Sequence, residues 1–423
     1  MARPRSLTLP VMLLVTGVVG CPQTRPVDGP TPQPSSGAGG PEAPDPMALR
    51  YDAAVFAGHE PLVERLRSSD FAYFRYLAAP FAKLVCEELT EEIAHMPTVN
   101  LHGDLHLEQY AIADDGFGIV DFDDATKGPP ILDWLRFATS IWLATDDADT
   151  AEYAIARFID GYRAGLAEPN AVVKASEPAA AKRIRARFKT TPAEWLDKIT
   201  GLIQPIDPSK RAKMERARSI YVAAMRQQNP DLSEAFFTLK VGGALKMGIG
   251  SAHEDKFLVR VEGPSDAPSD DVILESKQMK HQLLGSCVRG DARDPTRVIA
   301  AQAKFSRSPQ RLLGYVAIDD NNYYVHAWRV HYTELDIADV HGRRELAELT
   351  YDVGLQLGRG HPTSPATTPE GIDERRVILK ALDQVAGDLF ERSRAIAERT
   401  TRGYDRFREA TARPGAPRVS NAP

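Results

Sequence analysis

Acidic residues are concentrated in one short segment of the chain, "LHGDLHLEQYAIADDGFGIVDFDDA" at positions 101–125. Asp104 lies in the turn "HGD", and Asp121, Asp123 and Asp124 follow the apolar run "FGIV". Clustered carboxylates hold divalent cations and orient hydroxyl groups for proton transfer. The segment therefore predicts a site for metal-dependent chemistry.

The order of these residues resembles a phosphotransfer site. In protein kinases and aminoglycoside phosphotransferases, an "HxD" or "HGD" turn supplies a catalytic aspartate and an asparagine five positions later binds magnesium. An aspartate at a later strand end holds the metal that bridges the phosphates. By this resemblance Asp104 is the catalytic residue, Asp121 the chief metal ligand and Asp123 an auxiliary ligand. Gln109 stands where the pattern has asparagine, and its amide reaches one methylene further.

A supporting segment follows, "GPPILDWLRFA", which resembles the phosphotransferase segment whose aspartate braces the catalytic loop. Here that residue is Asp133, and we expect His102 to brace the same loop. His102 and His106 are also of a type that ligates metals. A solvated acidic β-hairpin is the alternative interpretation, and the order of "HGD", "VDFDD" and "LDW" favours the site.

A second group of residues, downstream of the acids, resembles a phosphate clamp. The stretch "KVGGALKMGIGSAHEDKFLVRVEG" predicts a glycine-bearing turn and an alternating strand, and "DVILESKQ" a further strand that carries Lys277. Gly248, Gly250 and Ser251 would approach phosphates through their backbone, and Lys277 would supply a point charge. An ordinary hairpin with a solvated lysine is the alternative. Because one phosphate must reach both groups, we predict that Lys277 lies close to Asp121.

The elements around these residues are predicted as follows. Positions 62–96 have apolar residues at helical spacing, with Ser68, Ser69 and Asp70 as candidate caps between two helices. "PTVNL" and "FGIVDF" are short β-type runs. No glycine-rich strand pair precedes the acids at positions 47–100, so the nucleotide-binding half must follow them.

The chain resembles a bacterial family catalogued as domain of unknown function 2252, which is regarded as kinase-like and places the metal-binding half before the glycine-rich half. The resemblance rests on the blocks "SSDFAYFRYLAAPF", "HGDLHLEQY", "DFDDATKGPPILDWLRFATS", "GIGSAHEDKFLVRVEG", "ESKQ", "RVIAAQAKF", "YYVHAWR" and "LGRGHPTS". It implies an α+β fold of the two-lobed protein-kinase type with permuted lobe order.

The chain departs from that family pattern at a few positions. Gln109 replaces the usual asparagine, Asp124 the usual glutamate after "DFD", and a second glycine is missing around His253. No acid lies between Gln278 and Gly290 to pair with the kinase-type lysine, and Glu275 is a candidate substitute because period-two spacing puts it on the same strand face as Lys277.

The predicted organisation has six parts. They are a signal peptide at 1–20, a disordered tether at 21–46, a helical metal-binding half at 47–235, a β-rich half with the glycine turn and the lysine at 236–335, a closing helical segment at 336–410 and a disordered tail at 411–423.

The N-terminus predicts a lipid anchor. Arg3 and Arg5 precede the apolar run "LTLPVMLLVTGVVG", which is of signal-peptide length, and "VVGC" resembles the bacterial lipobox, with Cys21 as the lipidated residue. The Pro-, Gly- and Ser-rich stretch that follows is typical of a lipoprotein tether. An ordinary secretory signal is the alternative. We expect a protein anchored in the bacterial cell envelope outside the cytoplasm, at the outer membrane where two membranes exist, since Pro22 rather than aspartate follows the anchor.

Composition excludes some classes of protein. A formal net charge of −6 with mixed charges gives no basic stripe for nucleic acid, so no nucleic-acid partner is expected. Cys21, Cys86 and Cys287 form no CxxC pair or zinc-type cluster, so neither a disulfide nor structural zinc is predicted.

The function expected from these residues is a phosphotransferase that uses magnesium or manganese, takes ATP or another nucleotide as donor, and acts on an unknown acceptor. One alternative is a kinase-like lipoprotein without catalytic activity that binds a ligand or a partner. Another is a metallophosphoesterase, because "GDLH" resembles the Asp-x-His block of those hydrolases, although their "GNH" block is missing here.

Overall fold

The computed structural model describes residues 45–245, 255–279, 285–319 and 321–412. Several predicted features lie outside these ranges: the anchor Cys21, the tether up to position 44, the glycine turn with Gly248, Gly250 and Ser251 that is predicted to bind phosphate, and the tail beyond position 412.

Helices dominate both ends of the described chain. Their bounds are α1 Glu60–Leu66, α2 Asp70–Tyr76, α3 Ala78–Glu88, α4 Thr90–Ala94, α5 Ile131–Trp142, α6 Ala148–Ala167, α7 Ala171–Lys174, α8 Ala179–Arg185, α9 Pro192–Thr200, α10 Pro208–Gln228, α11 Thr296–Phe305, α12 Gly342–Gly360 and α13 Pro369–Thr411. The Ser69 hydroxyl accepts from the Ala72 amide and caps α2, which confirms the predicted break between two helices. Across the described ranges, no helix is both long enough and apolar enough to cross a bilayer.

The strands form one large and two small antiparallel sheets. Their bounds are β1 Val99–Leu101, β2 Tyr110–Ala113, β3 Gly116–Ile119, β4 Thr126–Gly128, β5 Leu239–Ala244, β6 Lys256–Val261, β7 Val272–Gln278, β8 Arg311–Ile318, β9 Asn321–Ala327 and β10 Thr333–Glu334. The sheet orders are β1-β4, β10-β2-β3 and β5-β6-β7-β9-β8. The fold is therefore α+β, as predicted, and the predicted strands "KFLVRV" and "DVILESKQ" are confirmed as β6 and β7.

The five-stranded sheet has two chemically different faces because side chains alternate along each strand. One face is apolar and packs against α10, with Val259, Leu274 and Val325 in contact with Met214 and Tyr221. The opposite face carries Lys256, Glu275, Lys277, Tyr324 and His326, as the paired register of β6, β7 and β9 requires. This polar face is the one available to the acidic loops.

The largest apolar core lies among the helices at the two ends of the chain and also contains β1, β2 and β3. Helices α6 and α12 approach each other closely within it through glycines. A Cβ at Gly161 would lie 2.1 Å from the Tyr351 carbonyl oxygen, and one at Gly354 would lie 2.2 Å from that of Phe158. Larger residues at these positions would force the two helices apart.

A disulfide joins two distant parts of the chain, which corrects the prediction that none is present. Cys86 in α3 is bonded to Cys287, 201 residues later, in the segment that follows β7. The spacing of the cysteines gave no signal because the two meet only through the tertiary fold. Disulfides of this kind persist mainly in oxidising compartments.

We expect the disulfide to stabilise the fold by restricting the unfolded chain. Cys86→Ala/Cys287→Ala should lower the free energy of unfolding by roughly 2–5 kcal/mol. Urea denaturation of the wild type with and without reductant measures the same loss, and the double variant should not respond to reductant. A wild type equally stable in both conditions would contradict this role.

Candidate functional site

The "HGD" turn lies directly against the loop that holds the later aspartates. Gly103 has φ +92°, and a Cβ at this position would lie 2.1 Å from the Asp124 carbonyl oxygen. Only glycine combines this backbone angle with so close an approach. Asp104, after β1, is therefore held beside the loop that follows β3.

Asp133 anchors the turn from the start of α5. Its carboxylate accepts from the His102 amide at 2.7 Å and from the Gly103 amide at 2.9 Å, and its side chain is fully buried. His361, at the end of α12, places Nε2 3.1 Å from the same carboxylate. The His102 ring lies 2.8 Å from the Val120 carbonyl oxygen, next to Asp121. Through these contacts Asp133 and His102 hold the "HGD" turn and the loop after β3 in place.

Asp104 forms a buried ion pair with Arg136. The guanidinium donates to Asp104 Oδ1 from Nε at 3.0 Å and from Nη2 at 2.7 Å. The same guanidinium lies 3.8 Å from the centre of the Phe74 ring. Burial lowers the pKa of Arg136 although the Asp104 charge opposes the shift. Arg136 was not predicted, although it is part of the block "LDWLRFA".

The central feature of the site is an ammonium group between two carboxylates. Lys277 Nζ on β7 lies 2.7 Å from Asp121 Oδ1 and 2.9 Å from Asp123 Oδ2. The predicted proximity of Lys277 and Asp121, 156 residues apart, is confirmed. The Lys277 and Asp123 side chains are 5% exposed, whereas Asp121 is 34% exposed, so the cluster opens to solvent on the Asp121 side.

Lys277 and Asp121 keep each other charged. Burial alone would lower the pKa of Lys277, but the charges of Asp121 and Asp123 outweigh it and hold that pKa well above its usual value. Burial alone would raise the pKa of Asp121, and the charge of Lys277 outweighs it and holds that pKa well below its usual range. Lys277 and Asp121 are therefore ionised at neutral pH.

Gln109 lies beside this cluster but does not bind tightly to it. Its Nε2 is 3.4 Å from Asp121 Oδ2, a long hydrogen bond, and its side chain points from the start of β2. The amide oxygen is of a type that ligates magnesium. The predicted auxiliary ligand is thus placed next to the predicted chief ligand.

Glu275 does not replace the missing kinase-type acid. Its carboxylate accepts from Trp328 Nε1 at 2.7 Å and lies 3.2 Å from His326 Nε2, whereas the carboxylates that pair with Lys277 are those of Asp121 and Asp123. Burial would raise the pKa of Glu275, but His326 outweighs it and the pKa falls to about 2. The suggested Lys277–Glu275 pair is therefore wrong.

Three other charged residues near the cluster were not predicted from the sequence. Lys256 is paired in register with Lys277 across β6 and β7, and burial together with the Lys277 charge lowers its pKa. Arg297 on α11 donates to the Ala125 carbonyl oxygen. Burial, followed by the Asp121 charge, raises the pKa of Glu334 on β10. Lys256 lies in the block "GIGSAHEDKFLVRVEG" and Arg297 in "RVIAAQAKF". Their place in blocks that resemble the family is the feature of the sequence that could have indicated them.

The carboxylates of the site could supply some of the ligands of a divalent cation, and the remaining ligands would have to come from water or a bound phosphate. Within the described ranges, no group of three or more His, Cys, Asp or Glu residues is spaced to hold a metal. Magnesium, however, is commonly bound by one or two carboxylates together with waters and phosphate oxygens. Asp121 and Asp123 converge on one positive centre, as such a pair must.

The pKa shift of Asp121 predicts how stability depends on pH. Its folded pKa lies below its unfolded pKa, so the stabilisation is present above about pH 4 and is lost as the pH falls further. The difference in unfolding free energy between wild type and Asp121→Asn should be constant from about pH 5 to pH 9 and shrink below about pH 4. Urea denaturation over a pH series measures it, with the exposed Asp231→Asn as control. A difference unchanged at about pH 2 would contradict the ion pair.

Comparison with known proteins identifies a family. The family model described as an uncharacterized protein conserved in bacteria (DUF2252) matches residues 62–172 and 168–410. No curated protein and no solved structure matches the chain. The matched ranges contain the "HGD" turn, Asp121, Asp123, Asp133 and Lys277. Since the model covers most of the sequence, this chain belongs to the DUF2252 family.

Proposed function

We propose that this protein is a magnesium- or manganese-dependent phosphotransferase of the kinase-like type, with ATP or another nucleotide as donor and an unknown acceptor. One observation carries the proposal. The buried Lys277 ammonium lies 2.7 Å and 2.9 Å from two carboxylates that come from a different part of the chain. Such a combination serves to hold a metal and a phosphate side by side.

In the proposed reaction, a divalent cation would, when bound, supply positive charge that offsets the negative charge of the phosphate oxygens. Asp121 and Asp123 would hold it, with Gln109 as an auxiliary ligand. Lys277 would then leave the carboxylates and bind a phosphate oxygen, supported by the backbone at Gly248, Gly250 and Ser251. The ammonium thus acts as a counter-ion in one state and as a phosphate ligand in the other.

Asp104 would orient the acceptor hydroxyl and receive its proton. Its pairing with Arg136 through Oδ1 fixes the position of the carboxylate, which suits a role in orientation. In phosphoryl transfer, positioning of the nucleophile matters more than proton abstraction. Asp133 and His102 would keep the turn in place.

The permuted kinase-like order is part of the proposal. The acids precede Lys277 in the chain, the reverse of the order in ordinary kinases, and the two groups nevertheless meet. The five-stranded sheet that carries Lys277 would correspond to the nucleotide-binding lobe, and the helical part with the acids to the other lobe.

A second candidate function is a kinase-like module that binds without catalysing transfer. The observation in its favour is that both cations of the site are already paired within the protein, Lys277 with two aspartates and Arg136 with Asp104. Such a site is stable without metal. Catalysis requires that metal and nucleotide open the Lys277 cluster, and ligand titration therefore separates the two functions.

The first test of the proposed function measures melting temperature with metal and nucleotide. Magnesium or manganese at about a hundredfold excess over its Kd should raise the melting temperature by about 3 °C. A nucleotide should add a further rise only when metal is present, because the metal joins protein and phosphates. Asp121→Asn should abolish both rises. Lys277→Ala should strengthen metal binding, since the competing ammonium is gone, and weaken nucleotide binding.

Controls keep this test specific. Asp231→Asn and Lys83→Ala change exposed residues of the same types away from the cluster and should behave as wild type. Asp104→Asn should retain both melting shifts and lose any transfer or hydrolysis. Metal binding without a nucleotide response would support the binding module, and indifference to both ligands would exclude the phosphotransferase.

We further propose that the protein is a lipoprotein of the bacterial cell envelope, anchored through Cys21. The sequence "VVGC" supports the anchor, and the Cys86–Cys287 disulfide supports an oxidising location. The full-length protein should partition with membranes and incorporate a lipid label, and Cys21→Ser should release it. Membrane retention that Cys21→Ser does not change, without lipid label on the wild type, would refute the anchor.

A further inference from the structure

A second concave site lies away from the Lys277 cluster. A cavity of about 1140 Å³ is lined by residues of α6, α7, α8 and α12 and of the segment between α7 and α8. We call it the α6–α12 groove, and it shares none of its lining residues with the site of Asp104, Asp121 and Lys277. Pockets for small-molecule ligands are commonly about 300–1,000 Å³, so this volume leaves room for such a ligand and its water.

The groove has an excess of uncompensated positive charge. Lys174, Lys182 and Arg343 line it, and within the described residues no carboxylate lies within 4.0 Å of any of the three. Two further cations in the lining, Arg157 and Arg344, are each paired with a carboxylate. In a chain with a formal net charge of −6, a local group of this kind is not explained by overall composition.

The carboxylates of the groove are already engaged. Glu177 pairs with Arg185, Glu348 with Arg344, and Asp352 with Arg307. Glu168 is the lining acid without a cation partner among the described residues, and it accepts a hydrogen bond from the Asn170 amide. The three unpaired cations therefore outnumber the one acid that could neutralise them.

The walls and floor of the groove are held in place. The Arg343 guanidinium lies 4.3 Å from the centre of the Tyr153 ring, and that of Arg157 lies 4.6 Å from the Tyr351 ring. Asp352 at the floor is buried and accepts from the Tyr110 hydroxyl at 2.8 Å. Arg307 donates to the Ala175 carbonyl oxygen at 3.0 Å and fixes the end of α7. Stacked and buried partners of this kind reduce the ordering cost of binding.

We propose that the α6–α12 groove binds a small anion that carries phosphate groups. Three cations without carboxylate partners around one concavity match the several negative charges of such a ligand. Arg343, stacked on Tyr153, presents a planar donor, and Lys174 and Lys182 present mobile point charges. The groove shares no lining residue with the proposed phosphotransfer site, and the proposal does not rest on that reaction.

The experiment uses inorganic pyrophosphate as the probe, without divalent cation. Hydrogen–deuterium exchange of the full chain should show protection on peptides that cover positions 168–182, and calorimetry should give the affinity. Lys174→Glu/Lys182→Glu/Arg343→Glu should abolish the protection and weaken binding at this site roughly tenfold or more. The exchange of individual peptides is measured because Lys277 is expected to bind pyrophosphate as well, at a different site.

The matched control is Lys83→Glu/Lys380→Glu/Arg406→Glu, which reverses the same residue types at exposed positions outside the groove. It should keep the protection. If the first triple variant does not fold, the neutral Lys174→Gln/Lys182→Gln/Arg343→Gln serves instead. Absence of protection in the wild type, or equal protection in wild type and groove variant, would overturn the proposal. A finding that neither metal nor nucleotide binds at Asp121 would not affect the proposal for the α6–α12 groove.

Discussion

The structure depends on one constraint, which is that a buried ammonium must have its charge compensated. Lys277 projects from the middle of the five-stranded sheet with 5% of its side chain exposed, and an unpaired charge at this depth would cost several kcal/mol. Asp121 and Asp123 provide the compensation from the loop after β3. The sheet and the acidic loops are therefore held together electrostatically as well as by packing, and the groups that would bind a ligand are the same groups that join these elements.

The acidic loops are themselves held from the far end of the chain. Asp133 on α5 binds the "HGD" turn, His361 at the end of α12 contacts Asp133, and Tyr162 of α6 lies 2.6 Å from His361 Nδ1. Because α6 and α12 pack closely through glycines, this chain of contacts has little freedom. The position of the "HGD" turn near residue 103 is thus set by Asp133, Tyr162 and His361, all of which lie later in the chain.

Sequence reasoning recovered those features that depend on local pattern or on a recognisable order of motifs. The capped break at Ser69, the alternating strand β6 and the meeting of Lys277 with Asp121 are of this kind. It failed where only tertiary packing brings residues together. Arg136 has no distinctive spacing from Asp104, and Cys86 and Cys287 lie in unrelated motifs. The suggested role of Glu275 was wrong because the alternation of side chains along a strand predicts only which face of the strand a residue lies on. It does not predict which residues of other elements contact that side chain.

The pairing of β10 with β2 joins the two predicted halves of the chain, 47–235 and 236–335. Thr333 and Glu334 follow the large sheet in the chain, yet they complete the small sheet of the acidic hairpin, where Glu334 lies opposite Ala111. The boundary drawn at position 235 from sequence therefore does not separate two autonomous pieces. A fragment that ends at position 235 would expose the edge of β2, a surface that invites pairing between molecules. Recombination between relatives would have to transfer both segments together, so the two halves are expected to have been inherited as one unit.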